Sequence, residues 1–177
     1  MSNARNLSKV EVDTNGDIEV GSLGNANDAS ALTTGTLGSA RLPAGSVLQV
    51  VQDTFADTYS TSSTGGTPFR SVSITPSSAS SKILVLASFM TRATGGGGNC
   101  YIRIQGFRNG SMFWNGYPVN GSQNSDHRGV AAINYLDSPN TTSAVTYSFN
   151  FDSTYASTVY INSSTSPSFI TLMEIAG

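Results

Sequence analysis

The chain has 177 residues, a length typical of one ordinary domain with at most a small appendage. Charged residues make up 11% of it, against about 25% in an average soluble domain. The formal net charge of −2 excludes a basic surface suited to nucleic acid or anionic lipid. The longest apolar run, residues 83–87, is far shorter than the roughly 18 residues of a membrane helix.

Two further features concern the compartment. The single cysteine cannot form an internal disulfide framework. The first residues, MSNARNLSKVEV, lack the apolar core of a signal peptide. We therefore expect synthesis in a cytoplasm, with neither nucleic-acid binding nor membrane insertion.

The aromatic residues divide the chain into two parts. All sixteen of them lie at Phe55 or later, and residues 1–48 contain none. Because aromatic side chains supply the largest burial per residue, the first part cannot easily offset an ordering cost of roughly 1–2 kcal/mol per residue. We predict an N-terminal arm, 1–48, that borrows a core from a partner or stays disordered, followed by a domain at 49–177.

Residues 10–20, VEVDTNGDIEV, carry a β-hairpin pattern. Valine, isoleucine and glutamate alternate on both sides of Asn15-Gly16, a strong signal for a tight hairpin turn. The spacing D-x-N-x-D at 13–17 also begins like a calcium loop, but Ile18 occupies the position of its glycine and no glutamate follows at the twelfth position. The pattern predicts a hairpin and no metal site.

Residues 31–45, ALTTGTLGSARLPAG, have leucines five residues apart at Leu32, Leu37 and Leu42. That spacing fits neither the helical period of about 3.6 nor the strand period of 2. As a free element the segment has no apolar face to bury, so other residues must supply its contacts.

The second part alternates apolar and polar residues between turn sequences. No window of it shows a helical stripe. Seven to nine short strands in about 130 residues predict an all-β fold, an antiparallel β-sandwich of jelly-roll type. The strands are predicted at 71–75, 82–90, 100–107, 130–136, 145–151, 157–162 and 169–176.

The last predicted strand is apolar on both faces. Phe169, Met173 and Ile175 lie on one face, and Ile170 and Leu172 on the other. Both faces should therefore be covered. We expect one to meet the core of the sandwich and the other a sister subunit; the alternative is a central strand covered within a single chain.

No catalytic constellation stands out. Residues 125–127, Ser-Asp-His, hold the three residue types of a triad, but a triad assembles from separate elements. One histidine and one cysteine cannot close a zinc site, and the glycine run at 94–100 lacks the lysine of a phosphate loop. Paired carboxylates for glycoside hydrolysis stay open, because folding can bring any two acids together. We expect no enzyme, no metal and no cofactor.

Residues 107–130 concentrate the side chains suited to binding. Trp114 and Tyr117 stand among asparagines and glycines, and a polar loop with Asp126, His127 and Arg128 follows. Aromatic faces beside hydrogen-bonding groups suit sugars, so these five residues are our candidates for a glycan receptor contact. The alternative is that the aromatic residues anchor a strand or a subunit contact.

Three segments carry a resemblance to proteins of tailed bacteriophages. LTTGTLGSARLPAG at 32–45 resembles the linker before the C-terminal domain of many tail fibres. VEVDTNGDIEVGSL at 10–23 is similar to short β repeats of the same proteins, and SFITLMEIAG at 168–177 resembles the end of small β-sandwich tip domains. Between these ends, only the composition is similar.

The resemblance implies a homotrimer in which three linkers wind around one axis. Leu32, Leu37 and Leu42 would then be axial contacts of a core shared by three chains. In the alternative, 31–45 packs on its own sandwich as an ordered strap.

Two virion roles follow from the resemblance. In the first, the chain is a trimeric tail-fibre or tip protein, attached to the virion by its arm and contacting a host-surface glycan with its C-terminal domain. In the second, it is a capsid decoration, cement or head-fibre protein docked on the shell by its arm. A nonviral secreted lectin-like module is a third, disfavoured by the start of the sequence.

Overall fold

The computed structural model describes residues 42–94, 100–121, 126–155, 157–163 and 166–177, without the side chains of residues 100 and 119–121. All described residues belong to one compact unit, Ser39–Gly177. The predicted hairpin at 10–20, and Leu32 and Leu37, lie outside the described residues, so those predictions stay predictions.

Ten strands make up the described part of the chain. In chain order they are β1 (Val47–Phe55), β2 (Tyr59–Thr61), β3 (Thr67–Ile74), β4 (Lys82–Thr94), β5 (Cys100–Arg108), β6 (Ser111–Gly121), β7 (Asp126–Asp137), β8 (Val145–Ser153), β9 (Thr158–Ile161) and β10 (Ser168–Ile175). Within the ranges given above there is no helix able to cross a membrane.

The strands form two antiparallel sheets. The larger sheet has the order β1-β10-β4-β7, and β9 and β2 extend it alongside the second half of β4. The smaller sheet has the order β3-β8-β5-β6. Without the short β2 and β9, the eight remaining strands form two four-stranded sheets with the strand order of a jelly roll. The predicted all-β sandwich is confirmed.

The core lies between the two sheets and is built from the period-2 pattern of the strands. In β8, Val145, Tyr147, Phe149 and Phe151 are fully buried, and the residues between them face outward. The ring of Phe89 on β4 meets that of Phe149 at 5.0 Å between centroids. Edge-to-face contacts of this kind add to the burial of the rings themselves.

Two acidic side chains are buried inside the sandwich and are satisfied there. Glu174 accepts hydrogen bonds from Gln49 Nε2 at 2.6 Å and from the backbone N–H of Ser77 at 2.7 Å. Burial raises the pKa of Glu174, but these hydrogen bonds together outweigh it and lower the pKa below its usual value. Asp137 accepts hydrogen bonds from Tyr147 Oη and Arg108, each at 2.7 Å. Both acids therefore fasten elements of the fold.

Three strands were not predicted. In β1, β2 and β6 the alternation is interrupted by polar residues, glycine or proline. β6 contains a register shift opposite β5 near Ile102 and another near Gly106. Because each shift places an extra residue in the strand, the apolar side chains of β6 do not keep a simple period of 2.

Candidate functional site

The five residues predicted for receptor contact lie in different parts of the sandwich. Trp114 packs against the core. Tyr117 lies on the outer face of the smaller sheet, with 49% of its surface exposed. Asp126 and Arg128 lie on the outer face of the larger sheet, and His127 is half-buried on the inward side of β7. The fold therefore does not gather these five residues into one site.

The prediction of a polar loop for Asp126, His127 and Arg128 is wrong, because these residues begin β7 and pair with the second half of β4. Arg92 on β4 donates from Nε to Asp126 at 2.8 Å, and Arg128 reaches the same carboxylate at 3.5 Å. The hydrogen bond from Arg92 is the main cause that holds the pKa of Asp126 below its usual value. The three charged side chains form a surface ion cluster across two strands.

Apolar side chains form a large part of the outer face of the larger sheet, which also carries Gln52, Thr171 and the ion cluster. In one row across the sheet, Val50 pairs with Met173, Met173 with Leu84, and Leu84 with Leu136. We call these apolar side chains together the apolar face. Half-buried side chains lie between its exposed ones, so that it spans β1, β10, β4 and β7. Its most exposed members are Val47, Val50, Val130, Leu136 and Phe169, at 41–55% exposure. Its half-buried members are Leu84, Leu86, Met90, Met173 and Ile175.

The apolar face includes the outward residues of the last predicted strand. Ile170 and Leu172 of β10 are fully buried in the core, whereas Phe169 on the opposite face is 41% exposed. The strand is central, between β1 and β4, yet the described chain covers only one of its faces. The expectation that the other face meets a sister subunit stays a prediction.

Three tyrosines line a groove at one end of the outer face of the smaller sheet. Tyr101 lies at the start of β5 with its side chain on this outer face. Tyr117 comes from β6, and Tyr155 comes from the turn after β8. Together with Thr154 they line a cavity of about 350 Å³, which we call the tyrosine groove. The rings of Tyr101 and Tyr155 lie 5.3 Å apart and are tilted by 41°. Tyr117 and Tyr155 are among the most exposed large apolar side chains described.

An ion pair borders the tyrosine groove. Arg103 on β5 lies directly opposite Asp152 on β8, and its Nε is 3.0 Å from each carboxylate oxygen. The Asp152 side chain is 1% exposed and that of Arg103 is 26% exposed. The hydrogen bond to Asp152 is the main cause that raises the pKa of Arg103, and Tyr117 contributes a smaller effect. The guanidinium is therefore fixed in place beside the Tyr117 hydroxyl.

Sequence reasoning found Tyr117 but missed the other two tyrosines. A signal for Tyr101 was present, because Ile102 and Ile104 point inward and their neighbours must point outward. Tyr155 follows a strand as an ordinary turn residue, so nothing local placed it beside Tyr101.

A second groove lies between the edge strands β1 and β3, with a volume of about 720 Å³. Arg70 in its wall donates to Asp53 at 2.9 Å and lies over the ring of Phe55, 4.6 Å from its centroid. The hydrogen bond from Arg70 is the main cause that lowers the pKa of Asp53. All these groups are paired with one another across the two sheets, which indicates a structural role.

Leu42 is the only predicted linker leucine among the described residues. It is half-buried and lines a cavity of about 270 Å³ with Leu48 and the C-terminal Ala176 and Gly177 of its own chain. The segment is tied there by backbone hydrogen bonds, among them Gly45 N–H to Ala176 O at 2.8 Å. Gly45 has a φ of 89°, a conformation that suits glycine. The end of the linker is thus fastened beside the end of β10.

Among the described residues there is no cluster of three or more His, Cys, Asp and Glu side chains that could hold a metal ion. No family model matches the sequence, and no curated protein matches it.

Solved structures with a similar arrangement exist, at low identity. The chain is similar to dimeric latent PorU from Porphyromonas gingivalis, with 12% identity, a TM-score of 0.38, and coverage of 76% of this chain and 13% of that one. It is also similar to a chain of the T13 viral particle of infectious bursal disease virus, with 11% identity, a TM-score of 0.43, and coverage of 73% and 36%. For the VP2 subviral particle of that virus the identity is 11% and the TM-score 0.42, with coverage of 73% of this chain and 38% of that one.

The chain spans less than half the length of each of these structures. TM-scores below 0.5 at such identities do not establish a common function, so the function has to be inferred from the residues of the chain itself.

Proposed function

We propose that the chain is a noncatalytic structural protein of a bacteriophage virion that works as a homotrimeric tail-fibre or tip protein. Its arm, 1–48, attaches to other virion proteins, and its jelly-roll domain contacts the host surface. The protein is made in the host cytoplasm and resides in the virion. The observation that carries this proposal is the apolar face of the larger sheet.

The apolar face supports assembly because monomeric soluble proteins rarely leave so many adjoining apolar side chains in water. Val50, Leu136 and Phe169 belong to three different strands of one sheet, so their exposure is not scattered. Burial of apolar surface contributes roughly 25 cal/mol per Å². A sister subunit on this face would remove all these side chains from water at once.

The trimeric state and the phage context come from the resemblance of the linker and of the two chain ends. In this proposal Leu32 and Leu37 are contacts of the axis shared by the three linkers, and Leu42 fastens the end of the linker to its own domain. Jelly rolls also recur in viral capsid and lectin domains, an analogy of fold that carries no function by itself.

The described buried carboxylates suit a structural role rather than catalysis. Asp152, Asp137 and Glu174 are buried with their hydrogen-bond partners in place and hold strands or loops together. A catalytic acid or base needs access to a substrate, which these buried and fully paired carboxylates lack.

A capsid decoration or cement protein is the second candidate. The apolar face suits this role as well, because subunits of a protein bound to the shell would also bury it between them. In that role the arm docks on the shell, and the apolar face joins the three jelly rolls as before.

Quantitative mass spectrometry of purified virions, with the major capsid protein as internal standard, tests the proposal. A few to a few tens of copies are expected for a tail fibre, and hundreds would establish the decoration role instead. Absence of the chain from virions would overturn both. Native mass spectrometry of the purified full-length chain then tests assembly, with three times the mass of one chain expected and a monomer contradicting the homotrimer.

A further inference from the structure

We infer that the tyrosine groove is a binding site for an uncharged saccharide. This inference rests on the proposed function, in which the jelly roll contacts a host surface, and it moves the expected contact. Of the five residues first predicted for receptor contact, only Tyr117 belongs to this groove.

Three tyrosine rings, two exposed and one half-buried, converge on the groove. Tyr101 and Tyr117 come from the neighbouring strands β5 and β6, and Tyr155 joins them from the turn after β8. Single exposed apolar residues are normal on a protein surface, whereas three rings around one cavity mark an interaction site. The hydroxyl ends of the rings remain hydrated, so the cost of exposing them is smaller than for phenylalanine.

The ring faces and hydroxyl groups of the groove match the two kinds of surface that a sugar ring presents. A pyranose ring has an apolar face of C–H groups and an equatorial rim of hydroxyl groups. The tyrosine rings offer flat apolar surfaces for the former, and the Thr154 and tyrosine hydroxyls offer donors and acceptors for the latter. The volume of about 350 Å³ lies at the lower end of the ~300–1,000 Å³ common for small-ligand pockets, which suits a ligand of one or two sugar rings.

The charges at the border of the groove are balanced. Arg103 is the cation at the border of the groove, and Asp152 neutralises it through a buried carboxylate. The bordering pair therefore carries no net charge, and among the described residues that line or border the groove a carboxylate or sulfate would find no unpaired cation. An uncharged saccharide is consequently favoured over an acidic one.

The position of the groove leaves it accessible when the apolar face is covered. The tyrosine groove and the apolar face lie on opposite outer faces of the sandwich, because one belongs to the smaller sheet and the other to the larger. When the apolar face meets sister subunits, the tyrosine groove points away from them. Its small area also makes it a poor protein–protein interface, since stable interfaces bury about 1,200–2,000 Å².

Saturation-transfer NMR on the full-length protein tests the inference. The probes are the methyl glycosides of glucose, galactose, mannose and N-acetylglucosamine, with sialyllactose as the acidic comparison. We expect saturation of the C–H face of at least one neutral glycoside, with a Kd on the order of 1 mM. No signal from any neutral glycoside, or a clear preference for sialyllactose, would overturn the inference.

Three variants locate the binding. Tyr117→Ala and Tyr155→Ala should each weaken binding at least about tenfold, whereas Tyr117→Phe should keep it within about threefold because the ring face remains. Met112→Ala is the matched control, since Met112 lies on the same strand as Tyr117, is 55% exposed and does not line the groove. Unchanged affinity in both tyrosine-to-alanine variants would contradict the site.

Native mass spectrometry of the same samples separates this inference from the proposed function. A wild-type trimer that binds no glycoside would remove the saccharide site and leave the assembly intact. A monomer that binds a glycoside through Tyr117 and Tyr155 would keep the site and remove the trimer.

Discussion

The two outer faces of this sandwich are built from the same secondary structure and differ in almost every other respect. The outer face of the larger sheet exposes Val50, Leu136 and Phe169, and its ion cluster lies at one end, where β4 and β7 pair. The outer face of the smaller sheet carries Ser71, Ser73 and Asn150 and ends in the tyrosine groove. A sheet needs only one apolar face to form its core, so the second apolar face of the larger sheet requires another explanation. One outer face therefore exposes apolar side chains and the other a groove lined by tyrosines. In the proposals above, the first serves assembly and the second serves recognition.

The largest expected effect concerns assembly. Leu136→Asp should weaken association at least about 100-fold, because each subunit interface would bury a charge in place of a leucine. Ser71→Asp is the matched control on the exposed outer face of β3 and should leave association unchanged. Mass by light scattering over a dilution series measures both.

A second variant keeps this test decisive. Val50→Asp alters the far side of the apolar face on β1, and circular dichroism checks that both variants remain folded. Full association of both Leu136→Asp and Val50→Asp would show that the apolar face is not the interface and that any trimer depends on the linker alone.

The next effect compares the ion pairs of the two outer faces. Asp152→Ala should destabilise the domain by about 2 kcal/mol, because it leaves Arg103 without its carboxylate partner; the partial exposure of Arg103 keeps the loss below that of a fully buried pair. Asp126→Ala removes an exposed carboxylate from the larger sheet and should not measurably move the unfolding midpoint. The midpoint of urea unfolding measures both effects, provided that the dependence of the unfolding free energy on urea concentration is the same for each variant. Equal midpoints for the two variants would contradict the structural role of the Arg103–Asp152 pair.

The last comparison concerns Trp114, one of the two aromatic residues of β6 that were predicted to contact a receptor. A Cβ at Gly116 would lie 2.5 Å from two ring atoms of Trp114, so Gly116→Ala should cost about 1–3 kcal/mol as the packed indole is displaced. Gly65→Ala meets only Ser63 Oγ at 3.9 Å and should stay within about 0.5 kcal/mol of wild type.

The fluorescence of Trp114, the single tryptophan of the chain, reports the same displacement. If Gly116→Ala changes neither the free energy of unfolding nor the fluorescence emission, the indole is not confined by packing. Trp114 would then again be a candidate for ligand contact.

Much of the fold could be predicted because alternation is a local property. In 145–151 the apolar residues recur at every second position, and all four of them are fully buried. The two faces of 169–176 were also assigned correctly, with Ile170 and Leu172 on the buried side. β6 was missed because its register shifts break the alternation. Asp126 and Arg128 resemble turn residues until β4 is seen beside them.

The candidate site was harder to predict, since it depends on which strands become neighbours. By itself the sequence determined that the chain is β-structured, which residues of each regular strand point inward, and that the last strand is apolar on both sides. Only the tertiary structure decided that Tyr101, Tyr117 and Tyr155 meet, and that Asp126 lies on the opposite side of the sandwich from Tyr117. The physical reason is that the period of a strand is set by its own residues, whereas its partners are set by contacts far away in the chain.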